Sequence, residues 1–139
     1  MTVSDDTLRT LLAMDRIAVV GCSSTAGKAA HEIPAYLQRH GYEIIPINPF
    51  ADEILGEVAV DSLADVDGEI DLVNVFRPSE EVAGIVEKVL DRNETKADVE
   101  GLWLQLGIGD DTAETAAEDA GLTVVSNRCM KIEHQRLVV

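Results

Sequence analysis

Between Arg16 and Lys28 a short apolar run, Ile17-Ala18-Val19-Val20, breaks at Gly21 into Cys22-Ser23-Ser24-Thr25-Ala26-Gly27 and ends on a basic residue. A buried strand that opens through glycine and hydroxyl residues into a helix start offers free backbone N–H groups and a helix dipole to an anion, most often a phosphate. Ser23 and Ser24 carry hydroxyls suited either to phosphate or to capping the helix, and Lys28 supplies a mobile positive charge. Two sharper versions of the motif fail. A triphosphate loop requires G-x-x-x-x-G-K-[ST], but Gly21 stands one residue too early for Gly27-Lys28, and Ala29 replaces the magnesium-binding hydroxyl. A dinucleotide fingerprint requires G-x-G-x-x-G and an acid closing the second strand. Here that strand ends Ile45-Pro46-Ile47-Asn48-Pro49 without one, so NAD is disfavoured. A phosphate loop for another nucleotide remains.

The elements that must position this loop alternate along the chain. Ser4-Asp5-Asp6 forms an N-cap and acidic first turn, with Leu8, Leu11 and Leu12 on one face of a covering helix over residues 1–14. Residues 15–139 form the domain proper. After the first strand, Ala30 to His40 is helical by the spacing of Ile33, Tyr36 and Leu37, with Pro34 tolerated in the first turn and Gly41 as the stop. Residues 42–47 are the second strand, and Pro46 points to a strand end or an edge. Residues 49–68 are turn-rich, with a short strand near Val58 and a helical turn near Leu63. The third strand spans 69–76 and is closed by Arg77-Pro78. Ser79-Glu80-Glu81 then cap a helix with Val82, Ile85, Val86, Val89 and Leu90 inward. A fourth strand covers 102–106. Asp111 and Glu114 form a capping box for a helix closed by Gly121, and 122–125 is the fifth strand. The tail from Ser126 has no assignable structure.

This alternation predicts an α/β single domain, a doubly wound parallel five-stranded sheet with right-handed crossovers. The expected strand order is 3-2-1-4-5, with the ligand outside the carboxyl ends at the reversal between strands 1 and 4. The segments after each strand then share one edge: Gly21 to Lys28, Asn48-Pro49, Arg77-Pro78-Ser79, Gln105 to Gly109 and Asn127-Arg128. Lys28, Arg77, Arg128 and Lys131 lie on or beside these segments, which makes a local positive site for a polyanion unless each basic residue pairs with a carboxylate. Arg77 can grip phosphate with a two-pronged fork. Trp103 reads as core, and His31 as an inert surface residue near the loop. Cys22, Cys129, His31 and His134 lack paired metal-ligand spacing. A thiol role for Cys22 would need a pKa lowered by the helix start and Lys28.

The chain has 139 residues and a net charge of −15, with a pI near 4.3. Such a surface excludes nucleic-acid and anionic-membrane binding as the leading functions. Only four lysines (Lys28, Lys88, Lys96 and Lys131) stand among 26 acidic residues. This points to a salt-adapted protein, since molar salt shortens the Debye length to about 3 Å and tames self-repulsion. No signal-like or membrane-length apolar run occurs, and two cysteines are too few for a disulfide framework, so a cytoplasmic location is expected.

Five collinear segments carry a resemblance: Val20-Gly21-Cys22-Ser23; Gly41-Tyr42 through Ile47-Asn48-Pro49; Asp71-Leu72-Val73-Asn74-Val75-Phe76-Arg77; Trp103-Leu104-Gln105-Leu106-Gly107; and Asn127-Arg128-Cys129 with Glu133. Over residues 15–137 the chain resembles the stand-alone CoA-binding domain proteins, which are similar to the CoA-binding domain of succinyl-CoA ligase alpha subunits and NDP-forming acyl-CoA synthetases. The resemblance implies a Rossmann-like domain for coenzyme A, with Ser23, Ser24 and Lys28 near the phosphates. It also implies a crevice lined by Asn48, Pro49, Phe76, Arg77, Pro78, Gln105 and Leu106. Cys22 replaces a more usual alanine and brings a thiol that can form a mixed disulfide with CoA. The ligases' catalytic histidine domain and partner subunit have no counterpart in this chain, so binding is inherited more securely than catalysis. The expected function is therefore binding of CoA or an acyl-CoA without turnover, through Gly21, Cys22, Ser23, Ser24, Lys28, Asn48, Pro49, Phe76, Arg77, Pro78, Gln105, Leu106 and Arg128. A protein partner or homodimer stays open. The alternatives are an NAD(P)-dependent oxidoreductase and a thiol module using Cys22 and Cys129.

Overall fold

The computed structural model describes residues 3–138. The chain runs α1 (Asp5–Leu12), β1 (Arg16–Val20), α2 (Ala29–Arg39), β2 (Glu43–Ile47), an antiparallel hairpin of β3 (Glu53–Ile54) and β4 (Glu57–Val58), and a 3-10 turn at Leu63–Asp65. It continues through β5 (Leu72–Val75), a 3-10 turn at Ser79–Glu81, α3 (Val82–Thr95), β6 (Gly101–Leu104), α4 (Asp111–Asp119), β7 (Thr123–Val125) and α5 (Met130–Leu137). The short strand expected near Val58 is β4 and the turn expected near Leu63 is the first 3-10 turn, while β3 and α5 went unassigned in the sequence. Among the described residues no helix is long and apolar enough to cross a membrane.

The five longer strands form one parallel sheet in the order β2-β1-β5-β6-β7. Counting only these strands, the order is 2-1-3-4-5 and not the expected 3-2-1-4-5. The third strand takes the central place beside the first. All four of its residues, Leu72 to Val75, are buried, as a strand covered on both faces requires. Strand β2 takes the edge, where Pro46 is harmless. The N–H of Glu43 points to Asp15 O of the neighbouring chain segment, whereas that of Asn48 points outward to Val60 O. By alternation the nitrogen of Pro46 also points outward, where no ladder bond is lost. Among the described residues the only strand-like cover on that edge is a single parallel bridge between Ile47 and Val60. The reversal of strand order therefore lies between β1 and β5.

Helices cover both faces. One layer packs α1, α2 and α5 on Ile17, Val19, Leu72 and Trp103, and the other packs α3 and α4 on Ala18, Val73, Val75 and Leu102. Trp103 is fully buried, with Nε1 donating to Arg128 O at 2.9 Å. The Ser4 hydroxyl caps α1 through Thr7 N–H. At α4 the cap shifts one residue from the expected Asp111. Asp110 accepts from Ala113 N–H at 3.0 Å, and Glu114 reaches back to Asp110 N–H at 2.9 Å. Ser79 does not cap α3 either; its hydroxyl accepts from Gly109 N–H at 3.1 Å and ties the β5 and β6 ends together. Gly101 is required by packing, since a Cβ there would lie 2.6 Å from Leu11 and 2.7 Å from Leu72.

Arg92 holds the connection between Leu63 and Gly68 against α3. Its guanidinium donates to the carbonyls of Leu63, Val66 and Gly68 and to both oxygens of Asp98. Both partners of this ion pair are buried. Burial pushes the Asp98 carboxyl up, but hydrogen bonds from Arg92 and Ile70 N–H outweigh it and hold the group below the usual 3.8.

Candidate functional site

At the reversal between β1 and β5 the sheet opens into a cavity of about 500 Å³, within the range of roughly 300–1,000 Å³ usual for ligand pockets. Its walls come from four places: the loop after β1, the Asn48-Pro49-Phe50 turn after β2, Phe76-Arg77 after β5, and the α3 stripe Glu81, Ile85 and Lys88. Asp61, Ser62 and Leu63 complete the rim.

The loop after β1 is shaped by what surrounds it. Gly21 has φ +85°, and a Cβ there would sit 2.7 Å from Arg77 Cδ, so only glycine lets the arginine stem lie across the loop. The Ser23 hydroxyl accepts from Thr25 N–H at 3.0 Å. It therefore shapes the turn instead of capping α2, which starts at Lys28 without a side-chain cap. Pro34 is the sixth residue of α2, beyond the first turn in which it was expected. Its missing N–H leaves Ala30 O without the usual helical donor. Ser23 N–H takes that carbonyl at 3.0 Å, so the proline pins the loop to the helix. Asn48 is the second clamp. Its Nδ2 donates to Cys22 O at 2.9 Å while its Oδ1 accepts from Phe50 N–H at 2.8 Å.

The charges are unevenly placed. Lys28, Arg77 and Lys88 line the cavity against Asp61 and Glu81, a local excess of positive charge in a strongly acidic chain. Lys28 and Lys88 enter no ion pair among the described residues. Arg77 does: Nε and Nη2 donate to the two carboxylate oxygens of Glu81 at 3.1 and 2.6 Å. This pairing raises the Arg77 pKa and lowers that of Glu81.

Of the residues singled out in the sequence, Gly21, Cys22, Ser23, Lys28, Asn48, Pro49, Phe76 and Arg77 line the cavity. Ser24, Pro78, Gln105, Leu106 and Arg128 are not part of its wall. For Gln105, Leu106 and Arg128 the corrected strand order is the reason, because β5 stands between β1 and β6. Gln105 is buried and accepts from Met130 N–H at 3.1 Å, fixing the start of α5. Leu106 is exposed, and Arg128 lies 3.7 Å from Glu133. Lys131 stands over the Tyr36 ring at 5.3 Å, on the α2–α5 side. The thiol of Cys22 is packed in the core with Tyr36, Trp103 and Met130, and burial pushes its pKa up to about 12. That is opposite to the lowered pKa a reactive thiol requires. His31 pairs with Glu32 and His134 with Tyr36, and no group of three metal-ligating side chains occurs among the described residues.

Sequence reasoning missed Phe50, Asp61, Ser62, Glu81, Ile85 and Lys88. Glu81, Ile85, Lys88 and Arg92 recur at helical spacing, so the stripe was visible. Asp61 was not visible, because it reaches the carboxyl end of β2 only through the Ile47–Val60 bridge.

The CoA binding domain family matches residues 15–135. "Uncharacterized protein YneT" of Bacillus subtilis (strain 168) is 44% identical over 119 residues, covering 86% of this chain and 84% of its own. An "Acetate--CoA ligase [ADP-forming]" of Methanocaldococcus jannaschii is 36% identical over 72 residues, 52% of this chain but only 10% of that protein. Among solved structures, a hypothetical protein from Pyrococcus horikoshii OT3 superposes with a TM-score of 0.91 at 31% identity, covering 99% of this chain and 94% of its own.

Proposed function

The chain belongs to the CoA binding domain family, and from that premise we propose that it binds coenzyme A, free or acylated, in the cavity between β1 and β5. The observation that carries the proposal is the gathering of Lys28, Arg77 and Lys88 around a glycine-hydroxyl loop at the sheet's reversal, in a chain of net charge −15. CoA needs such a site because it bears a pyrophosphate and a separate 3′-phosphate. The pyrophosphate is assigned to the loop, where the N–H groups of Ala29 and Ala30 at the start of α2 have no partner among the described residues. The Ser23 hydroxyl, already an acceptor, keeps its own proton for donation. The proposed role is binding, and no chemical step is assigned to these residues.

Titration calorimetry in high-salt buffer with reductant tests this, using CoA, acetyl-CoA, dephospho-CoA and NAD. Micromolar binding of CoA, with weaker binding of dephospho-CoA, is expected. Asp61 makes the comparison informative, since a carboxylate at the rim favours a free ribose diol over a 3′-phosphate unless Lys88 or another cation offsets it. Silence from every CoA ligand would overturn the proposal, and binding of NAD alone would replace it with a dinucleotide function.

A further inference from the structure

The two oxygens of Glu81 sit on the Arg77 fork as the oxygens of a phosphate would, one on Nε at 3.1 Å and one on Nη2 at 2.6 Å. The arrangement is held from both sides. The Arg77 stem lies across Gly21, where no Cβ could fit. Glu81 closes the 3-10 turn that leads directly into α3. Both residues line the same cavity as the unpaired Lys28 and Lys88. From this geometry we infer that Glu81 is a resident anion, which an incoming phosphate must displace from Arg77, and that its release sets a threshold cleared by ligands that also engage a second cation of the cavity.

The threshold follows from charge. A carboxylate ligand that displaces Glu81 exchanges one two-oxygen partner for another and gains nothing at Arg77. It also meets the released negative charge of Glu81 inside the cavity. A diphosphate brings more charge than it displaces and spans more than one cation, so that Lys28 or Lys88 is engaged together with Arg77. Exchange is feasible because the pair is near half-exposed, at 48% and 45% of its side-chain surface, and such pairs are weak. The inference rests on the CoA proposal for the identity of the ligand, but not for the exchange itself.

The test compares Glu81→Gln with Glu80→Gln, which removes the same charge one residue away, outside the cavity wall. Each form is titrated with inorganic pyrophosphate, inorganic phosphate and CoA. Glu81→Gln is expected to tighten pyrophosphate and CoA by about fivefold, the release of one exposed ion pair. It should tighten phosphate by about the same factor or less, because the cost of opening the pair is common to both ligands and the released carboxylate repels the diphosphate at least as strongly, while Glu80→Gln changes each by less than about twofold. Weaker binding in Glu81→Gln would mean that Glu81 positions Arg77 and would overturn the inference. Equal effects of the two variants, or no pyrophosphate binding in any form, would do the same. Pyrophosphate binding with the expected shifts, but silence from CoA, would remove the CoA proposal and leave the exchange standing.

Discussion

Two arginine–carboxylate pairs bracket α3, and they differ in almost everything except their chemistry. Arg92–Asp98, at its C-terminal end, is buried, and the guanidinium also serves three backbone carbonyls. Arg77–Glu81, just before its N-terminal end, is half-exposed and among the described residues its side chains have no hydrogen-bond partner beyond each other. A saturated, buried pair is architecture, because removing either member strands the other in low dielectric. An exposed pair on a cavity wall can open at little cost. The same residue types thus hold the cavity's shape at one end of the helix and face its contents at the other.

The largest effect expected from this contrast is at Arg92. Arg92→Met should destabilise the fold by about 3–5 kcal/mol, the usual penalty for orphaning a buried charge, read as a fall in the urea midpoint. A loss below about 1 kcal/mol would place the pair with exposed ones and erase the distinction. Next comes ligand affinity. Arg77→Ala and Lys28→Ala should each weaken CoA binding by about ten- to a hundredfold, since charged hydrogen bonds contribute roughly 1.5–3 kcal/mol. Neither should move the urea midpoint appreciably. Unchanged affinity in both variants would remove the phosphates from this loop.

Salt sharpens the comparison further. Molar KCl screens the −15 surface charge and should raise the melting temperature of the wild type and of Arg77→Ala alike. It should not rescue Arg92→Met, whose deficit is buried. Equal stability in dilute buffer and molar KCl would contradict the salt-adapted character expected from composition.

Much of this architecture was legible in the chain, for identifiable reasons. The alternation of elements, the Ser4 cap, the Gly41 and Gly121 stops and the core position of Trp103 all follow from local spacing. Strand order did not follow, because it is decided by which strand can be buried on both faces. Pro46 already favoured β2 at the edge, whereas β5, with Asn74 among Leu72, Val73 and Val75, is no more apolar than β6, so the centre was not marked. The expected strand order put Gln105, Leu106 and Arg128 beside the crevice, as the resemblance did for Gln105 and Leu106, and all three lie outside the wall of the cavity between β1 and β5. The loop after β1 was legible as a loop and Cys22 as a small buried residue, but the side of the sheet on which Cys22 is buried was not, since nothing local says on which side a residue just past a strand end falls.

The smallest expected effect concerns a third pairing, one without formal charge. His134 on α5 is buried, with Nδ1 2.7 Å from the Tyr36 hydroxyl and the rings of Tyr36, His40 and Tyr42 around it. Burial, and secondarily the neighbouring His40, hold its pKa below the usual 6.5. The unfolded chain therefore binds a proton at His134 before the folded chain does. Its contribution to stability is complete above 6.5 and is lost as the pH falls from there toward the depressed folded value. Asp98 also has a lowered pKa, but its contribution is lost only as the pH falls below 3.8. Acid should thus weaken the fold in two separate windows, the upper set by the α2–α5 contact and the lower by the Arg92 anchor together with Asp5, Glu32 and Glu81, whose pKa values are also lowered. His134→Gln can still accept from the Tyr36 hydroxyl but cannot titrate, so it should abolish the upper loss and leave the lower one. If wild type and variant lose stability in parallel between about pH 7 and 5, His134 is not the group that titrates there.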